Sequence, residues 1–229
     1  MSSVLIVGGT SGIGREIARY YAEAGDRVTL AGRDAARAAA VAGEIGGDTA
    51  GIACNLAEPH SIAGSLAGLD AVDRLVLASI DREVETTVDD FDIDLAQRLV
   101  TLKLVGYTEV VHALRSRLAP DAAIVMFGGL ALLRPYPGST MVSTVNGGVI
   151  GLMNTLVVQL APIRVNVIHP GIVGDSPHWR DRDLSRVIAR TPCGRLAQME
   201  DVVDAVAFLL RNPAVNGVDL NVDGGTLLG

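Results

Sequence analysis

The sequence predicts an α/β fold: a seven-stranded parallel sheet with helices on both faces, forming a single domain. Three observations carry this. Short apolar runs alternate with helical patterns along the whole chain, and strict alternation of this kind calls for a parallel sheet buried on both sides. The first run, Val4 to Val7, passes straight into glycines and then a helix, in the stretch VLIVGGTSGIGREIA from Val4 to Ala18. The chain has 229 residues, 49% of them hydrophobic, which suits one large core; aromatics are only 3%, so that core is aliphatic.

The opening stretch predicts a phosphate cradle. Gly8 permits a tight turn after the strand, Gly12 lets the backbone approach an anion, and Gly14 lets the helix pack close to the strand. The helix N-terminus adds unpaired N–H groups and a partial positive charge. A doubly wound Rossmann sheet binding a dinucleotide is the fold that uses such a turn.

Bulk properties exclude several alternatives. The net charge of −7 argues against nucleic acid as a partner. No continuous apolar run reaches the ~20 residues of a membrane span, and the first strand begins too early for a signal peptide, so a cytoplasmic location is expected. Cys54 and Cys193 stand far apart without metal-ligand spacing; two inert buried thiols and no metal are expected.

Taken in order, Asp26 to Leu30 reads as the second strand. It is followed by Gly32 and Arg33, where an acid would bond an adenine-ribose 2′-hydroxyl; a guanidinium there forks onto a 2′-phosphate, which favours NADP(H) over NAD(H). Asp34 to Ile45 reads as an alanine-rich helix and Thr49 to Cys54 as the third strand, ending in Asn55-Leu56. Pro59 to Leu66 is a helix and Arg74 to Ala78 the fourth strand. Val88 to Leu118 reads as one long helix or two abutting ones, stopped by Pro120, with more apolar surface than one stripe needs. Ala123 to Phe127 is the fifth strand. Ser139 to Ala161 is a helix whose Gly147, Gly148 and Gly151 suggest close approach of a neighbouring helix. Val165 to Ile168 is the sixth strand, Leu184 to Ala189 a short helix, Glu200 to Leu210 a further helix and Gly217 to Val222 the last strand. The apolar surplus and the glycines together predict a homodimer or homotetramer.

The Gly-x-x-x-Gly-x-Gly spacing, the terminal Asp223-Gly224-Gly225 turn and the element order resemble the short-chain dehydrogenase/reductase family over nearly the whole chain. The resemblance implies cofactor contacts from Gly8, Thr10, Ser11, Gly12, Ile13 and Gly14, from Arg33, from Asn55 and Leu56, from Ala78, from Asn146, and from Pro170, Gly171 and Val173. It also implies a substrate lid over about 172–195, in which Asp175, His178 and Trp179 are candidates to face a substrate.

The family's proton transfer uses a Tyr with a Lys four residues on, a Ser at the preceding strand end and an Asn in the long helix. Here those positions fall on Val142, Asn146, Gly129 and Lys103. Val142 has no proton to give and Gly129 no hydroxyl, so the usual mechanism cannot run. Lys103, Asn146 and His169 are the remaining catalytic candidates: Lys103 as a substitute positive charge, Asn146 through its amide, and His169 beside Pro170-Gly171. The two asparagines that normally brace the turn after the fourth strand are also gone, so another brace is expected near Ala78. Three readings stay open: an NADP(H)-dependent oxidoreductase acting on a small carbonyl, alcohol or enone; a redox-silent cofactor-binding protein; and a non-redox enzyme such as a cyclase, dehydratase or isomerase.

Overall fold

The computed structural model describes residues 1–81 and 84–229. Strand β1 (Ser3–Val7) lies at the middle of a seven-stranded sheet, with β2 (Arg27–Gly32) and β3 (Thr49–Ala53) on one side. On the other side follow β4 (Val72–Leu77), β5 (Leu118–Phe127), β6 (Arg164–Pro170) and β7 (Asp219–Val222). Every neighbouring pair is parallel. The order reverses between β1 and β4, and the crevice beyond the carboxyl ends of the strands at such a switch is where doubly wound sheets hold ligands.

Side chains alternate along each strand, so the two faces build separate cores. Leu5 and Val7 of β1 enter the first. It also takes in α3 (Pro59–Ser65), α5 (Gly106–Leu114) and α6 (Thr140–Gln159). Val4 and Ile6 enter the second, with α1 (Gly12–Glu23), α2 (Ala35–Ile45) and α8 (Met199–Arg211). Both are aliphatic, as the composition predicts. The strand and helix order of the sequence reading is present, with ends displaced by a few residues.

The largest displacement concerns the predicted helix Val88 to Leu118. Helix α4 begins only at Ile93 and runs to Val100, because the Asp92 carboxylate accepts the Leu95 N–H at 2.9 Å and caps it. Thr101–Val105 is a π-helical turn that leads directly into α5. Pro120 does not stop this helix; α5 ends at Leu114, and both Leu118 and Pro120 belong to β5. Arg117 provides the stop, donating to the Leu66 and Ala113 carbonyls at 2.5 and 2.7 Å and so capping the C-terminal ends of α3 and α5 together. Pro120 is tolerated because the β4–β5 register shifts there, between Val72 and Arg74.

Helix α6, 20 residues long, is by length and composition sufficient to cross a membrane, which the search for continuous apolar runs missed. One side of it, Val145, Val149, Met153 and Leu156, is buried in the first core. Of its three glycines only Gly148 meets a close neighbour, Leu104 of the π turn; Gly147 and Gly151 face open space. Cys54 is buried, but Cys193 is exposed, contrary to expectation, because it lies in the turn that follows the short helix α7 (Ser185–Ile188).

Two glycines test how the second core is spaced. A Cβ on Gly51 would lie 2.2 Å from the Ala38 backbone, so β3 and α2 are in direct backbone contact there; a Cβ on Gly43 of α2 meets nothing within 4 Å. Gly51→Ala is expected to destabilise by about 2–3 kcal/mol through overpacking, and Gly43→Ala to stabilise by about 0.5–1 kcal/mol. Urea denaturation of the two variants checks both signs.

Candidate functional site

The carboxyl ends of β1, β2, β4, β5 and β6 bring the predicted site residues to one edge of the sheet. Gly8 leaves β1 at φ +94°, and its N–H donates to the Ala31 carbonyl at 2.9 Å. A Cβ on Gly14 would fall 2.2 Å from the Gly8 oxygen, so α1 starts in backbone contact with the turn. Thr10 packs its methyl against Gly32, where a Cβ would come within 2.5 Å. Ser11 is the N-cap of α1 but offers no side-chain bond to it, so the amides of Gly12, Ile13 and Gly14 have no side-chain cap. A helix N-terminus left open in this way, above a cradle without Cβ atoms, fits the pyrophosphate of a dinucleotide.

Arg33 is exposed at the end of β2, as predicted. Asp34 is occupied: its carboxylate accepts the Arg37 N–H at 2.8 Å and caps α2. Arg37, which the sequence reading passed over, is also exposed and reaches the Thr10 carbonyl at 3.5 Å. Two guanidinium groups therefore flank the position of an adenine ribose. Asn55 differs from expectation in its bonding. Its Nδ2 donates to Glu58 at 3.0 Å and its Oδ1 accepts the Ala57 N–H at 3.2 Å, so both ends of the amide serve the local turn. Leu56 beside it is buried against Gly106.

Ala78 continues from β4 and donates its N–H to Val7 at 2.8 Å. The missing brace of this turn is Tyr107. Fully buried, it donates its hydroxyl to the Ser79 carbonyl at 3.1 Å. At the other side Pro170 ends β6, Gly171 donates to Val222 at 2.9 Å, and Val173 pairs with Ala197 in an isolated bridge.

The three catalytic candidates lie around the end of β5. Lys103 stands at the centre of the π turn, buried, and its Nζ donates to the Phe127 carbonyl. Burial pulls its ammonium group down to about 7. It is the single lysine in the chain; the other 18 of the 19 basic residues are arginines. That count was available from the sequence and marks the position more sharply than its alignment does. A π turn widens a helix by one residue and recurs at functional sites; here it turns Lys103 into the core beside β5.

His169 is also buried. Its Nδ1 accepts the Gly129 N–H at 3.0 Å, which places the ring proton on Nε2, and Nε2 has no partner among the described residues. Burial holds the imidazole below its ordinary range, so it is neutral at pH 7. A Cβ on Gly128 would lie 2.4 Å from the His169 ring, and one on Gly129 2.8 Å from the Asn146 Nδ2. The Gly128-Gly129 pair thus leaves room for His169 and Asn146 to close on the backbone. Asn146, buried on α6, occupies the flank of the position where a serine would stand.

The lid candidates have structural partners. Asp175 accepts the Met199 N–H at 2.8 Å and so caps α8; His178 and Trp179 pack edge to face at 4.6 Å, with Arg182 over the indole. A cavity of about 410 Å³ opens at the N-terminal end of α6, lined by Thr87, Asp89, Tyr136, Ser139, Thr140 and Ser143 among others. Ser139, Ser143 and Asn146 follow at helical spacing, so its wall leads along α6 towards Gly129.

Comparison with known proteins agrees with this geometry. A family model described as enoyl-(acyl carrier protein) reductase matches residues 7–226. The 3-oxoacyl-[acyl-carrier-protein] reductase of Bos taurus is 32% identical, over 97% of each chain. The structure of the MalC reductase/Diels-Alderase from Malbranchea aurantiaca superposes with a TM-score of 0.89 at 27% identity, covering 99% of this chain and 95% of that one. The 3-ketoacyl-(acyl-carrier-protein) reductase from Brucella melitensis, solved in complex with NADH, gives 0.85 at 26% identity, covering 99% and 98%. The seven-stranded parallel sheet, the glycine turn and the match over nearly the full length together make this chain a member of the short-chain dehydrogenase/reductase family.

Proposed function

We propose that the protein is an NADP(H)-dependent oxidoreductase acting on a small carbonyl or enone, with a non-standard site in which Lys103 replaces the charge of the family's Tyr–Lys pair. The observation that carries this reading is the single lysine, buried on a π turn at the end of β5. A bound nicotinamide cofactor supplies or accepts the hydride. The glycine turn would hold its pyrophosphate, and Arg33 and Arg37 its 2′-phosphate. Lys103 exchanges a proton at Nζ near neutral pH and stabilises negative charge on a substrate oxygen. Neutral His169 holds the Gly129 backbone, and Asn146 lends its amide. Val142, partly buried on α6, excludes water from this wall without taking part in proton transfer.

A second reading, non-redox use of the same pocket such as a cyclisation, is favoured by two observations: no hydroxyl stands at position 129 or 142, and one structural neighbour is a reductase/Diels-Alderase. NADPH oxidation over a panel of ketones, quinones and enones separates the two. The oxidoreductase turns over at least one of them, and Lys103→Met loses most of that rate while keeping its circular dichroism and NADPH binding. Because the reductive direction needs the protonated amine, the wild-type rate falls as pH rises through about 7. Turnover that survives in Lys103→Met removes the lysine from the mechanism. Tight NADPH binding without turnover supports the non-redox use.

The exposed Arg33 makes no hydrogen bond or ion pair with the other described residues, and this supports the NADP(H) preference. Arg33→Ala is expected to weaken NADPH binding about 10- to 100-fold, through loss of a charge-assisted contact worth ~1.5–3 kcal/mol. It should leave NADH binding unchanged. Calorimetry with both cofactors decides; equal wild-type affinities would remove the preference.

The same reading includes a homodimer or homotetramer in a cytoplasmic setting, with no nucleic-acid or membrane partner. Ile93 and Val105 stand exposed on the α4–α5 face, and Gly147 and Gly151 of α6 leave open space. Light scattering at micromolar concentration should give at least twice the monomer mass of 23.8 kDa.

A further inference from the structure

Lys103 has no ion-pair partner among the described residues. Its Nζ donates to the Phe127 carbonyl and lies over the face of Tyr107, 5.4 Å from the ring centroid. Lysine and tyrosine are four residues apart, one on the π turn and one on α5, so the widened turn sets both on the same buried flank. The far end of the ring is fixed: the hydroxyl bonds to Ser79, whose backbone nitrogen lies 2.8 Å from the Cβ position of Gly8. The ring therefore spans from the lysine to the turn after β4, beside the glycine cradle.

We propose that Tyr107 is the positioning residue of Lys103: its ring face carries the ammonium group, and its hydroxyl anchors that ring to the end of β4. An aromatic face attracts a cation most strongly where water is excluded, and Tyr107 is fully buried. Burial also raises its phenol far above the usual range, so Tyr107 neither gives nor takes a proton at working pH. The titratable group that faces Lys103 from another element is His169 on β6; it stays neutral above about pH 7 because burial lowers it and its Nδ1 accepts from Gly129. The Phe127 carbonyl and the aromatic face are then the groups that favour the charged amine against the cost of burial. The catalytic meaning of this role rests on the reading of Lys103 given above; the contact itself does not.

The single lysine makes the test direct. Protein grown with ¹³C-labelled lysine gives one side-chain signal, whose midpoint is followed by NMR across neutral pH. Tyr107 is replaced by phenylalanine, by mono-, di- and trifluorinated phenylalanines, and by leucine. Tyr107→Phe should leave the midpoint close to wild type. Each added fluorine should lower it, and Tyr107→Leu should lower it by about one pH unit in all. The fluorinated rings keep the shape of phenylalanine, so the series remains decisive if the leucine variant fails to fold. A midpoint indifferent to fluorination, or moved as far by Tyr107→Phe as by Tyr107→Leu, overturns the proposal. The readout does not need turnover. A fluorine-dependent midpoint in a protein that oxidises no substrate keeps the positioning of Lys103 and rejects the oxidoreductase reading. Where turnover exists, the pH limb of kcat follows the same series.

Discussion

Gly8 and Gly14 touch backbone to backbone, and the rest of the site is arranged around that contact. It lets α1 begin directly over the end of β1, which leaves the first amides of the helix facing the crevice where the strand order reverses. The same turn is hemmed in by Ala31 from β2 and by Ser79 from the end of β4. Any side chain at position 8 or 14 would push these strand ends apart. The cradle, the adenosine side with its two arginines and the Lys103 side are therefore held at fixed spacing by one close approach of main chain. A parallel sheet makes this possible, since all its carboxyl ends face the same way.

Most of the fold was legible in the sequence because its signals are local. Glycines at positions 8, 12 and 14, apolar runs of four or five residues, and an Asp-Gly-Gly turn each act within a few residues. The boundary of the long helix was not legible. Its start depends on the Asp92 cap and its end on Arg117 reaching carbonyls of two different helices, the second of which is far away in sequence. The cofactor side of the site could be read from spacing. The brace at Ser79 could not, because Tyr107 is 28 positions away from the carbonyl it bonds. The lysine could have been found by counting, since a chain with 19 basic residues and one lysine has placed that lysine under a special constraint.

The lid candidates show the opposite case. Asp175, His178 and Trp179 have side chains suited to chemistry, yet they are spent on capping α8 and on stacking with one another. A polar or aromatic residue in a loop has first to hold that loop, and a short irregular segment has few other means of doing so. Residue type alone therefore overstates how many groups are available to a ligand. The groups that remain, Lys103, His169 and Asn146, are buried residues on regular elements.

The burial of Lys103 also gives the folded chain an ionisation history. With its amine near 7 in the folded protein and ~10.4 in the unfolded chain, the unfolded state binds the extra proton throughout the interval between them. Stability must then climb as the medium becomes more alkaline across that interval, and the deficit carried on its acid side is about 4 kcal/mol. A methionine of similar length would avoid this deficit altogether. A domain whose total margin is ordinarily about 5–15 kcal/mol thus gives up a large share of it to keep one amine out of water.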